Sequence, residues 1–416
     1  MYRRICALLL TGLLLLGTGC SKRLLPTDPV VSQPALESLA SGQADPLSSR
    51  CDRGAATIIG NAPDGSIYAL YRPDHWNGDL VVYAHGFVAP YLPVVLPTSD
   101  FTEVTRDSLL HEGYGVAYSS YATNGLAVKD GIEDTGALSD LYSSRLGRPR
   151  HTYLVGISLG GLIAVALAER YPWRYDGAVT FSGLVGGSRR ELAYVANVRI
   201  LFDYFYPGAL PGDLLHLPST LNLQHDIIDA AVAAIVANPS GAAAMSQITQ
   251  TPIPFSNGDE LVRSIVQALT LQALELGDLL QRTGGQSFFD NRNTVYDGPL
   301  PAPLLQDLNA HVARFDMPPS AREFLMRNYE PTGRLEFPLL ALHTTLDPTV
   351  PVYNEAVYAE KVRAAGRSRF LTQRFEVRYG HVGFQPAQML DAIHDVIDMS
   401  KKHHRHHEDD LVADRR

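Results

Sequence analysis

One serine in this chain stands where a hydroxyl can be made reactive. It lies in Gly156-Ile157-Ser158-Leu159-Gly160-Gly161, between the apolar run Tyr153-Leu154-Val155 and the stretch Leu162 to Arg170. The pattern predicts a strand, a sharp turn with the serine at its apex, and a helix. Such a turn strains the serine backbone, and glycines two before and two after keep a Cβ out of the neighbouring strand and helix. The hydroxyl projects at the head of a helix whose dipole favours developing negative charge. A free hydroxyl is still a weak nucleophile and needs a base, which in turn needs an orienting carboxylate. Two later segments supply these types in the order Asp, His: Asp347 in Thr344-Thr345-Leu346-Asp347-Pro348-Thr349-Val350-Pro351, and His381 in Gly380-His381-Val382-Gly383. A lone Asp or His is more often structural; the order and the locations together carry the weight.

The elements that must position these residues alternate along the chain. Short strand-like runs occur at Ser66–Tyr71, Asp79–Ala84, Tyr114–Ser119, Gly177–Ser182, Phe337–His343 and Thr372–Tyr379. Helical stretches fall at Thr102–Glu112, Ile132–Leu146 and Val352–Ala365. Continuous apolar runs such as Leu80-Val81-Val82-Tyr83-Ala84 suit strands buried on both faces. From 186 to 334 no strand of this kind is evident. Helical spacing returns at Asp226–Ala237 and again at Asp259–Arg282, where Leu261, Ile265, Leu269, Ala273, Leu276 and Leu280 share one face. Phe202, Tyr204, Phe205 and Tyr206 form an aromatic cluster ahead of them.

With Ser158, Asp347 and His381 in these settings, the chain resembles the α/β-hydrolase superfamily of serine hydrolases, of esterase and lipase type. That resemblance implies an α/β fold with a mostly parallel central sheet, helices on both faces and a large, mainly helical cap. It makes Ser158 the nucleophile, His381 the base and Asp347 the acid, the last on the "DxxVP" loop. His85-Gly86-Phe87 follows a strand as the oxyanion loop does, so the backbone N–H groups of Phe87 and Leu159 are expected to receive the oxyanion. His85 itself is expected to brace that loop. Tyr121 and Asn124, at the carboxyl end of a strand, are candidates for lining the substrate pocket, with loop hydrogen bonding as the competing reading. His111, His151 and His343 rank below His381 as bases, and Asp391 and Asp395 below Asp347 as acids. The cap reads as an apolar roof, an insertion that adds core, or both. The substrate class this implies is a small-molecule or polymeric ester, with short to medium acyl or aryl groups preferred.

The remaining boundaries follow from composition. Residues 1–20 carry Arg3-Arg4, an apolar run from Ile5 to Leu16, and Gly17-Thr18-Gly19-Cys20, the pattern of a signal peptide. Its end resembles a lipoprotein site with Cys20 as the acylated residue, although Gly17 stands where a leucine is usual. Residues 21–50 read as a disordered tether. Residues 51–185 and 335–400 form the hydrolase core, 186–334 the cap, and 401–416 a polar disordered tail. The expected location is therefore the cell envelope or beyond, with membrane anchoring through an N-terminal lipid. A net charge of −9 gives no basic excess for nucleic acid. Three cysteines, one of them in the signal, indicate no disulfide framework. No protein partner is evident, no cofactor is needed, and no H-E-x-x-H or Cys/His spacing defines a metal site. Two other readings stand beside the esterase. The elbow and the "DxxVP" loop also resemble prolyl-oligopeptidase-like peptidases, and a non-enzymatic binding protein can use a hydrolase scaffold.

Overall fold

The computed structural model describes residues 55–98 and 100–413. The expected signal segment, Cys20 and the tether lie outside the described residues. Eight strands form one sheet in the order β1-β2-β4-β3-β5-β6-β7-β8. β1 (Ala55–Asn61) and β2 (Ile67–Pro73) make an antiparallel hairpin, and β2 runs antiparallel to β4 (Gly115–Ser119). Every other pairing is parallel: β3 (Asp79–Ala84) with β4 and with β5 (His151–Ile157), then β6 (Gly177–Phe181), β7 (Leu339–Leu346) and β8 (Leu371–Tyr379). This is the α/β-hydrolase fold. After β3 the chain steps outward to β4 and then returns to the other side of β3. The carboxyl ends of β3 and β5 therefore face a topological switch point, the place where open sheets of this kind bind ligands.

Alternation along each strand sorts the side chains onto two faces. Leu80, Val82 and Ala84 of β3 enter one core, with α2 (Val128–Leu146), α3 (Leu159–Arg170) and α10 (Tyr353–Ala364). Val81 enters the other, with Leu109 of α1 (Asp100–His111) and Met389, Ile393 and Ile397 of α11 (Pro386–Ala413). Helix α3 is buried from Leu159 through Ala168, which explains a sequence apolar all round rather than on one stripe.

Residues 182–338 contribute no strand. They form α4 (Ser188–Phe205), a π-helical segment (Leu223–Asp229), α5 (Ala230–Ala237), α6 (Pro239–Met245), α7 (Gly258–Arg282), α8 (Ala302–His311) and α9 (Pro319–Tyr329). The aromatic cluster expected ahead of the cap helices is instead the end of α4. Phe202 and Tyr206 are buried against each other at 4.6 Å, and the Tyr206 hydroxyl donates to the Asn238 carbonyl. These two rings tie cap helices together. A second expectation also fails. Residues 401–413 continue α11 and are not a disordered tail. The run from Lys401 contains no glycine or proline to stop a helix already docked on the sheet.

Candidate active site

Among the described residues, four non-glycine positions have positive φ: Tyr121, Ser158, Ser182 and Val382. They lie just beyond the carboxyl ends of β4, β5, β6 and β8. Backbone strain of this kind costs about 1–3 kcal/mol per residue and gathers at functional sites. All four flank the switch point.

Ser158 links β5 to α3 with φ 55° and ψ −121°. The glycines around it do what the pattern requires. A Cβ on Gly156 would lie 2.3 Å from the Gly160 carbonyl oxygen, and one on Gly160 would lie 2.0 Å from that of Ala84. The serine carbonyl accepts from Gly161 N and Leu184 N, which fixes the turn from both sides. Across the crevice, a Cβ on Gly86 would sit 3.3 Å from Ser158 Cβ, so the 85–87 loop passes directly beside the serine.

Asp347 follows β7 and is fully buried. Its Oδ1 accepts from Thr349 N and Val350 N at 2.9 Å each, and His381 Nδ1 donates to Oδ2 at 2.7 Å. A carboxylate accepts only, so His381 carries its proton on Nδ1 and presents an Nε2 lone pair. The loop after β8 is held by Thr344 Oγ1 donating to Gly380 O at 2.6 Å and by Val382 N donating to Ser182 Oγ at 3.3 Å. Ser158 Oγ and His381 Nε2 are not hydrogen-bonded to each other among the described residues. Contacts of this type tighten only with substrate in place.

Behind Asp347 stands His343, ranked low as a base on sequence and fully buried at a distance from Ser158's turn. Its Nδ1 lies 3.0 Å from Glu355 Oε1 and its Nε2 2.8 Å from the Val350 carbonyl, with Asp347 Oδ2 at 3.6 Å. Both ring nitrogens thus face acceptors, an arrangement that favours the doubly protonated ring. Burial opposes that charge, but the Glu355 bond and carboxylate, Asp347 and the Val350 carbonyl outweigh it, and the pKa is raised. Glu355 Oε2 also accepts from Gln373 Nε2 at 2.7 Å. The sequence missed this brace because its partners sit on three separate elements. Of the other rivals, His151 lies at the opposite end of β5, His111 at the end of α1, and Asp395 pairs with Arg374 on the surface.

The residues of the 85–87 loop, expected from sequence as the oxyanion loop, are built in from below. His85 is buried, its Nδ1 donates to the Gly86 carbonyl at 2.7 Å, and its ring stacks on Tyr121 at 3.8 Å. Burial pushes its pKa down to about 4, so the ring is neutral. Tyr121, only 1% exposed, donates its hydroxyl to the His85 carbonyl at 3.0 Å. Asn124 donates to the carbonyls of Leu92 and Pro93, and its own carbonyl accepts from Arg282. Loop hydrogen bonding, the competing reading for Tyr121 and Asn124, accounts for these contacts.

Helix α7 crosses this end of the sheet. Its 25 residues span roughly 37 Å. Near its start Ser264 Oγ lies 3.2 Å from Tyr379 Oη and Gln267 Nε2 donates to Thr349 Oγ1 at 2.9 Å. Near its end Asp278 accepts from Leu126 N at 2.7 Å and from Arg282. It therefore reaches from the Asp347 loop and the end of β8 to the loop after β4. Where α7 packs on α4, Glu275 and Glu191 are both buried. Among the described residues, both Glu191 oxygens and Glu275 Oε2 lack hydrogen-bond partners. Burial, reinforced by neighbouring carboxylates, raises Glu191 well above its usual range and Glu275 to about 8.

No family model matches the chain. A stretch of 127 residues is 29% identical to the o-phthalyl amidase of Xanthobacter agilis, covering 30% of this chain and 26% of that protein, so the match spans about a quarter of the curated relative. An esterase of Pyrococcus furiosus aligns with 86% of this chain and 96% of its own at 12% identity and a TM-score of 0.43. The rice cell wall degrading esterase LipA of Xanthomonas oryzae aligns with 88% and 95%, at 15% identity and a TM-score of 0.41. The sheet order and the strained serine between β5 and α3 define the class: the chain is an α/β-hydrolase-fold protein with a serine at a sharp strand-to-helix turn.

Proposed function

We propose that the protein is a serine hydrolase that cleaves carboxylic esters through an acyl-enzyme. Ser158 Oγ attacks the carbonyl carbon as His381 Nε2 takes its proton. Asp347 holds the imidazole in the tautomer that leaves Nε2 free, then stabilises the imidazolium. The N–H groups of Phe87 and Leu159 receive the carbonyl oxygen as it becomes negative. His381 returns the proton to the departing alkoxide, and water attacks the acyl-serine by the same route in reverse. The observation that supports this reading best is the 2.7 Å bond from His381 to a fully buried Asp347, on the same sheet end as a serine held at positive φ. A fluorophosphonate should label Ser158, and Ser158→Ala should abolish labelling and lower ester turnover at least roughly a thousandfold. Labelling at another serine, or turnover that survives the substitution, would remove the proposal.

Amide cleavage is the second reading, favoured by the partial match to an amidase. The unlabelled enzyme separates the two: kcat/KM on matched ester and aryl amide pairs should favour the ester. We also propose export and acylation at Cys20, on the strength of Arg3-Arg4, the apolar run and the small residues before the cysteine. Mass spectrometry of the mature N-terminus should find a lipidated Cys20. An unmodified N-terminus would leave simple secretion, and an intact Met1 in the cytoplasm would remove export.

A further inference from the structure

At the opposite end of the sheet from Ser158, three side chains from distant parts of the chain converge. His151 opens β5, Asp176 immediately precedes β6, and His404 lies on α11. His151 Nδ1 is 3.1 Å from Asp176 Oδ1, and His404 Nε2 is 2.9 Å from the same oxygen. All three donor atoms lie within 4.8 Å of one another. Zinc–nitrogen and zinc–oxygen distances near 2.1 Å put the edge of a tetrahedral ligand set at about 3.4 Å. The two edges to Asp176 Oδ1, at 3.1 and 2.9 Å, fall short of that by about 0.3–0.5 Å, the opening a cation requires there.

Two of the three groups are already fixed. Thr152 N donates to Asp176 Oδ2 at 2.7 Å, and Asp176 N donates back to the Thr152 carbonyl at 2.9 Å, which pins the carboxylate to the amino end of β5 beside His151. Helix α11 is pressed onto the same strands, since a Cβ on Gly177 would lie 2.6 Å from Val396 Cγ1. Ile397 is buried, and His404 follows it by seven residues on the same helical face. A second carboxylate stands close by. Asp79 pairs in register with His151 across β3 and β5, is only 6% exposed, and its Oδ1 has no hydrogen-bond partner among the described residues. It adds negative charge next to His151, as carboxylates behind metal-bound imidazoles commonly do.

We propose that His151, Asp176 and His404 form a site for one divalent transition cation of the zinc class, which staples the C-terminal helix to the amino end of the sheet. The set is two imidazoles and one carboxylate, suited to zinc with a water completing four-coordination. It lies one strand length from Ser158, seven residues or roughly 23 Å, so its role is structural. Binding needs an unprotonated Nδ1 on His151 and Nε2 on His404, so each ring moves its proton to the other nitrogen or releases it.

The test is zinc titration of the full chain, carrying no added affinity histidines, by isothermal calorimetry and hydrogen exchange. One Zn²⁺ per chain should bind, and exchange of the amides around Ile397–His404 should slow. His404→Gln and His151→Gln should each weaken binding at least tenfold. Substituting His403, His406 and His407 together should change affinity less than twofold. His404→Gln, on the exposed side of a helix, keeps the test open should substitution at Asp176 or His151 unfold the amino end of β5. Affinity unchanged by His151→Gln or His404→Gln, loss on removing only the other tail histidines, or no saturation at millimolar zinc would each overturn the site. None of these readouts depends on hydrolysis.

Discussion

His343 shows how much of a site can hide behind its named residues. It sits four residues before Asp347, and its ring joins the strand to the loop through Val350 and to α10 through Glu355. Asp347 is thereby aimed from two sides, by the amides of Thr349 and Val350 and by a charged ring behind it. The pH dependence follows from the raised pKa. A raised imidazole contributes stability fully below its ordinary value of 6.5 and loses it as pH rises through the folded value. The groups facing it are Glu355, Asp347 and the Val350 carbonyl, with Gln373 bound to Glu355. His343→Gln should therefore cost most stability in acid, and the gap from the parent in urea unfolding should narrow as pH rises above 6.5. A gap that widens with pH would mean a neutral ring. Ser158, Asp347 and His381 stand out in the sequence because each sits in a local pattern: glycine spacing around Ser158, Val350-Pro351 after Asp347, glycines around His381. His343 and Glu355 were not, because their partnership exists only once β7 and α10 are packed.

Helices show the same division. The period of Leu261, Ile265, Leu269 and Leu276 identified α7, and those four are buried on one face. Its direction across the sheet end was not legible, since that depends on Gln267 meeting Thr349 and Asp278 meeting Leu126. The packing of the aromatic run was not legible for a related reason: composition gives apolar area but not which neighbour covers it. Glu275 is the sharpest case, a charged residue type that the fold buries beside Glu191. Its folded pKa of about 8 exceeds the usual 4.5, so the native state holds a proton that the unfolded chain releases across that window. Stability should thus fall as pH rises from 4.5 to 8. Glu275→Gln keeps the shape without the ionisation, so its thermal midpoint should match the parent near pH 4.5 and exceed it above pH 8. Equal midpoints at both ends would place an unrecognised partner on Glu275.

At the scale of the molecule, the short apolar strand runs alternating with helical stretches were enough to specify an α/β sheet, because each run is written locally. What crosses between distant segments was not. The His151–Asp176–His404 cluster joins residues 151, 176 and 404, and no spacing rule looks that far. The cap presents the same problem. As an insertion between β6 and β7 it reads as a detachable unit, yet its core is continuous with that of the sheet. Val195, Val198 and Phe202 of α4, and Ile265, Leu269 and Leu276 of α7, belong to the cluster that also holds Leu80, Val82, Leu154 and Leu339. Each fully buried aliphatic side chain contributes about 1.5–3 kcal/mol, so stripping the cap faces would expose more apolar area than a marginally stable domain can lose. Cap and sheet should therefore melt together: calorimetry should give one transition with calorimetric and van't Hoff enthalpies equal. Deleting 186–334 should yield an insoluble chain and not an uncapped enzyme. Two resolved transitions, or a soluble and folded deletion variant labelled by fluorophosphonate, would show that the cap is a separate lid.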